Sequence, residues 1–112
     1  MPDNPVCSLI DLLDLEEIER NIYRGSNRDI GTGRIFGGQA LAQSLVAARR
    51  TVEADWSAHS LHGYFILEGD LSSPVVYFVD RLRDGRSYAT RRVTGIQLGE
   101  AIFNMSASFH RE

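Results

Sequence analysis

Cysteine appears once in the 112 residues, as Cys7, so no internal disulfide can form and no disulfide framework shapes the fold. No apolar run approaches the roughly 18–20 residues that a membrane-spanning helix requires. Excess positive charge is missing too: Lys and Arg number 12 against 15 Asp and Glu, giving a net charge of −3 and a pI of about 5.6. Nucleic-acid binders usually carry a basic surface, so this balance argues against one. The opening MPDNPVCSLIDLLDLEE has no basic n-region and is acidic where a signal peptide would be cleaved. HExxH and paired-cysteine spacings are absent, and no GK[ST] follows the glycines. These absences describe a soluble, cytoplasmic chain with neither membrane nor nucleic acid as a partner and no metal or cofactor called for.

What is present suffices for one domain over 1–112. Apolar residues make up 43% and charged residues 24%, enough for a core and too ordered a composition for general disorder. Residues 1–6, with Pro2 and Pro5, read as an ill-ordered lead. Ser8 followed by Asp11 approximates a capping box, and Leu9, Leu12 and Leu13 share a face, which predicts a short helix over 8–14. Alternation from Glu17 to Arg24, imperfect at Arg20, predicts a strand ending at Gly25. Five of the ten glycines fall between 25 and 38 and mark a loop. The alanine-rich run after it, with Leu41, Leu45 and Ala48 at helical spacing and Arg49 and Arg50 at its end, predicts the one long helix, over 38–51.

Beyond Trp56 the pattern is all strand. His59–Leu67, Val75–Arg83, Ser87–Leu98 and Ala101–Phe109 are β-rich, and Asp84-Gly85 is a strong hairpin signal. No helix separates these four, so the sheet is expected to be antiparallel. The predicted class is α+β: one long helix wrapped by about five to six antiparallel strands. One helix cannot cover both faces of such a sheet, so the other face, or an edge, calls for a partner chain.

Few residues look chemical. GTGRIF at 31–36 is not a dinucleotide loop, because Phe36 stands where the third glycine should be and no βαβ unit surrounds it. The Asn104-Met105-Ser106 sequon sits inside a predicted strand and is set aside. His59 and His62, three apart on a strand, are expected on opposite faces and chelate poorly. Gly37, Gly38 and Gln39 open the long helix, where two glycines allow close backbone approach and the first amides are unpaired. Such amides can hold an oxyanion, and Gln39 can orient a water or bond an ester oxygen. The same glycines could equally serve only tight packing of helix on sheet. Asp29, Glu68 and Asp70 are the candidate general bases, although nothing in the sequence brings them to the helix start.

Four blocks then become informative together: RIFGGQALAQ at 34–43, HSLHGYF at 59–65, LRDGRSYATRRV at 82–93 and IFNMSASF at 102–109. In this order and spacing, over about residues 9–111, the chain resembles the N-terminal half of the acyl-CoA thioesterase II family. LLDLEEIE at 12–19 and YRG at 23–25 also fit. The resemblance implies a hotdog fold and hydrolysis of fatty acyl-CoA to free acid and CoA. It also implies homo-oligomers formed by hotdog pairing. Members usually carry two hotdog repeats, with the catalytic aspartate and its Thr and Gln partners in the second. The sequence ends before such a repeat, and Gln39 stands where the second half has its aspartate. Glutamine cannot act as a carboxylate base. The matching residues are Gly37, Gly38, Gln39, His59 and His62. Gln39 and His59 are the candidates for catalysis, and Gly37, Gly38, Gln39 and His62 for substrate binding. A non-catalytic hotdog for dimerisation or acyl-CoA binding is the alternative. Hydratase chemistry would need an acid on the central helix, and Gln39–Arg50 has none.

Overall fold

The computed structural model describes residues 10–27 and 37–111. The lead over 1–6, Asp29 and most of the glycine loop lie outside them. Of the helix expected over 8–14, residues 10–13 form a helical turn. Six strands and one long helix follow: β1 (Glu16–Glu19), β2 (Ile22–Gly25), α1 (Gly37–Arg49), β3 (Ser57–Phe65), β4 (Val75–Asp84), β5 (Tyr88–Gln97) and β6 (Glu100–His110). The strands form one sheet in the order β1-β2-β4-β5-β6-β3, antiparallel throughout.

The strand expected from Glu17 to Arg24 is instead a hairpin. Its turn falls at Arg20 and Asn21, with Asn21 at φ 67°. Asparagine tolerates this left-handed conformation because its short polar side chain bonds locally. Arg20, the flaw in the alternation, marks the turn. A second tight hairpin joins β5 to β6 through Leu98 (φ 50°) and Gly99 (φ 80°). Two consecutive positive φ values are the signature of a type I′ connection.

The core lies between the helix and one sheet face. Val75, Tyr77, Val79, Val93, Phe103, Met105, Ala107 and Phe109 point inward at alternate positions. The helix packs a face of small and polar residues on the sheet. It buries Gln39, Ala40, Gln43, Ser44, Ala47 and Ala48, while Leu41 and Leu45 sit half-buried at its flank. The small alanines let the helix approach the sheet closely. Gln43 is tolerated because every polar atom is bonded: its Oε1 accepts from the Tyr77 hydroxyl at 2.6 Å, and its Nε2 donates to Leu12 O at 2.9 Å and Ser26 O at 2.8 Å. Arg91, 1% exposed, is likewise saturated by Thr51, Arg83 O, Thr90 O and Asp84.

The outer sheet face carries Thr90, Arg92 and Thr94 on β5 and Asn104, Ser106, Ser108 and His110 on β6. Water covers such a face, as it does one side of many antiparallel sheets. The two edges differ sharply. β1 is four residues long and carries Glu16, Glu17 and Glu19. β3 is nine residues long, uncharged apart from its histidines, and its only strand neighbour among the described residues is β6.

Candidate active site

An apolar cleft of about 320 Å³ opens where the helix begins. One wall is the helix start, through Gly37 and Ala40; the other is the end of β3 and its exit, from Phe65 to Gly69, with Ile102 and Phe103 as the floor. Gly37 fits closely against β3. A Cβ there would lie 3.0 Å from the Phe65 ring, and that ring in turn packs on Phe103 at a centroid distance of 4.9 Å. Phe65 remains 65% exposed, and Ile66 and Leu67 are each half exposed. Apolar side chains left in water beside an apolar hollow mark a binding surface.

The first helical turn contains no acidic residue. Its backbone amides carry the partial positive charge that a helix N-terminus presents, and no residue of the turn itself is a carboxylate. Glu68 is the surprise. Sequence gave no reason to place it near the helix, yet the β3 exit carries it to the same cleft as Gly37. Asp70 lies just beyond, where the backbone N–H of Ser72 and then its hydroxyl bond the carboxylate and hold it below the ordinary range. A carboxylate so held is a weaker proton acceptor than a free one.

Gln39 is buried, 3% exposed, between the two helical wall residues. Its Nε2 donates to Asn27 Oδ1 at 2.9 Å and, at the outer limit of 3.5 Å, to Ser26 O. Gly38 is exposed on the same turn. The two histidines lie elsewhere. A bulge between Ala58 and Ser60 shifts the alternation, so His59 and His62 share the outer sheet face rather than opposite ones. There His59 Nε2 meets Ser108 Oγ at 2.7 Å and its ring contacts His110 and Tyr88, while His62 packs on Tyr64. Within this chain neither histidine is brought to Gly37–Gln39. Among the described residues no group of three His, Cys, Asp or Glu is arranged to hold a metal. No helix among them is long and apolar enough to cross a membrane.

One long helix packed against a six-stranded antiparallel sheet is the hotdog architecture. A hotdog-fold protein from Alicyclobacillus acidocaldarius superposes with a TM-score of 0.83 at 22% identity, covering 94% of this chain and 40% of that one. Residues 26–110 match the family described as the acyl-CoA thioesterase N-terminal domain, and the chain belongs to it. It is 45% identical over 101 residues to mouse acyl-coenzyme A thioesterase 8, covering 89% of this chain and 32% of the relative. It is 42% identical over 102 residues to acyl-CoA thioesterase 2 of Haemophilus influenzae, covering 91% and 36%. The crystal structure of an acyl-CoA thioesterase II from Mycobacterium marinum superposes with a TM-score of 0.84 at 50% identity, covering 94% of this chain and 38% of that one. The chain thus spans about a third of the length of these curated relatives.

Proposed function

We propose that this chain acts in acyl-CoA thioester hydrolysis, as a hotdog that binds acyl-CoA at the cleft beside the start of its helix. The observation that carries the reading is the cleft itself: an apolar hollow for an acyl chain ends on helix amides that suit a thioester carbonyl. As water adds to that carbonyl, charge moves onto its oxygen, and positioned amides stabilise it; one such donor is worth roughly 10²–10³ in rate. Gly37 gives the close approach, and Gln39 supports the turn from behind. The water also needs a base, worth typically 10²–10⁴. Gln39 cannot take a proton at neutral pH. Among the described residues, Glu68 is a carboxylate that lines the cleft, from its opposite wall. A homodimer joined along β3 completes the arrangement in this reading, because that edge and the exposed Leu61, Tyr64 and Phe65 call for a second hotdog.

Gly37→Val tests the site. The added side chain pushes into the Phe65 ring, a side chain 65% exposed that can give way, so the fold survives while the cleft narrows. We expect at least tenfold weaker binding of a non-hydrolysable S-alkyl-CoA with little change in melting temperature. Unchanged affinity would remove the cleft from the site. The non-catalytic alternative is favoured by the acid-free first helical turn. Turnover separates the two: we expect the 112-residue chain to hydrolyse long-chain acyl-CoA far below the ordinary enzyme rate of about 10 s⁻¹. Any residual rate should fall in Glu68→Gln, whereas a rate near 10 s⁻¹ that survives this substitution would require another base.

A further inference from the structure

Two side-chain amides distant in sequence converge on the turn at 70–73. Gln97, 6% exposed at the end of β5, donates through Nε2 to Asp70 O and Ser73 O, each at 2.8 Å. Its Oε1 accepts from the Asp70 backbone N–H at 2.7 Å. Asn27, just past β2, donates through Nδ2 to Ser73 O, and to Asp70 O and Leu71 O at 3.3 Å each. All three neighbours of that NH₂ group are carbonyls. A flipped Asn27 would set its own oxygen against three acceptors, so its amide has one permitted orientation. Its Oδ1 is thereby aimed at the helix, where Gln39 Nε2 donates to it at 2.9 Å.

This chain of amides ties together the two walls of the cleft. Asp70 directly follows Gly69, the last residue of one wall, and Gln39 lies between Gly37 and Ala40 of the other. The wall begins at Phe65, whose ring packs on Phe103. Ile66 N–H and Leu67 N–H both donate to the single carbonyl of Ile102, at 2.9 and 3.2 Å, and both side chains are half exposed. Ile66 and Leu67 bury little surface, so the hydrogen-bonded turn that follows them contributes to where this segment stands.

We propose that Asn27 and Gln97 are positioning residues that fix the separation of the cleft walls and so set how much acyl chain the cleft accepts. The inference rests on the acyl-binding reading above and adds what controls the breadth of that site. Neither side chain lines the cleft; each acts through the turn that ends its wall.

The test is a series of S-alkyl-CoA thioethers with four, eight and twelve carbons, with CoA as the chainless reference. Affinities are measured by calorimetry on the whole chain and on Asn27→Ala and Gln97→Met, with melting temperatures alongside. A well-fitted cleft gains up to about fourfold in affinity per buried methylene. We expect both variants to flatten this gain, losing tenfold or more at eight carbons while CoA itself changes less than twofold. A merely structural role would lower the melting temperature and leave the gain per methylene intact, and that result overturns the proposal. Gln97→Asn keeps the amide but falls one methylene short of both carbonyls, and it substitutes if Gln97→Met fails to fold; the same flattening is expected. If the unaltered chain itself shows no dependence on alkyl length, the acyl-binding reading fails first and the proposal with it. If the unaltered chain shows the gain and the variants keep it, only the positioning role is lost.

Discussion

Tyr77 shows how one buried hydroxyl couples packing to pH. Its side chain is fully buried and its O–H donates to Gln43, so burial pushes its pKa well above the ordinary value of 10.0. Tyr23 is pushed the same way, by burial first and then by the charge of Glu17. Above pH 10 the unfolded chain releases these protons while the folded chain keeps them. The unfolded state then binds fewer protons, so stability falls as pH rises, by up to about 1.4 kcal/mol per pH unit for the fully buried Tyr77, with Tyr23 acting in the same direction. We expect denaturant titrations to show that decline beginning near pH 10 and to show it reduced in Tyr77→Phe. At neutral pH the same variant should be less stable by roughly 1–3 kcal/mol, because Gln43 Oε1 loses its donor inside the core. Leu98 poses the opposite case. It is 81% exposed and held at φ 50°, a conformation that suits asparagine far better than leucine. Leu98→Asn forfeits almost no packing, and we expect it to raise the unfolding free energy by about 0.5–1 kcal/mol, measured by urea denaturation.

Between elements, the tightest fit is β2 against the helix. A Cβ on Gly25 would stand 2.5 Å from Gln43 Oε1 and 2.7 Å from its Cδ. Gln43 cannot yield, since Tyr77, Leu12 and Ser26 hold it. We expect Gly25→Ala to cost roughly 2–4 kcal/mol, readable as a shift of the denaturation midpoint. The sequence announces a glycine there but not its reason, because Gln43 lies 18 residues on and nothing local records the approach. Elements were legible where a periodic signal was strong: Val75–Asp84, the alternation into Phe109 and the alanine-rich helix all stand close to their expected bounds. The misses are local breaks in alternation. A single inserted residue reverses it, so the bulge beside His59 moved it onto the face of His62, and a two-residue turn at Arg20 and Asn21 cut one expected strand in two. Of the candidate cleft, Gly37 was singled out from its backbone freedom, but Glu68 reaches it, and Asn27 the turn at its end, only through long-range topology, which no spacing encodes.

At the scale of the whole molecule, the sheet is asymmetric. Its long edge, β3, offers unpaired backbone groups beside Leu61, Tyr64 and Phe65; its short edge, β1, offers four residues of which three are glutamate. We expect sedimentation to show a homodimer at micromolar concentration, and Leu61→Lys, a charge on the open edge, to shift it toward the 12.5 kDa monomer. A species of 12.5 kDa alone in the unaltered chain would contradict pairing along β3.

The glutamates of β1 bear on how large such an assembly grows. When two copies join through β3 about a two-fold axis, both long edges are consumed and the doubled sheet ends on β1 at both sides. Each terminus then shows a further copy three carboxylates on a strand too short to template pairing, and like charges repel there. In that arrangement we expect growth along the sheet to terminate itself, which separates a closed oligomer from a fibre.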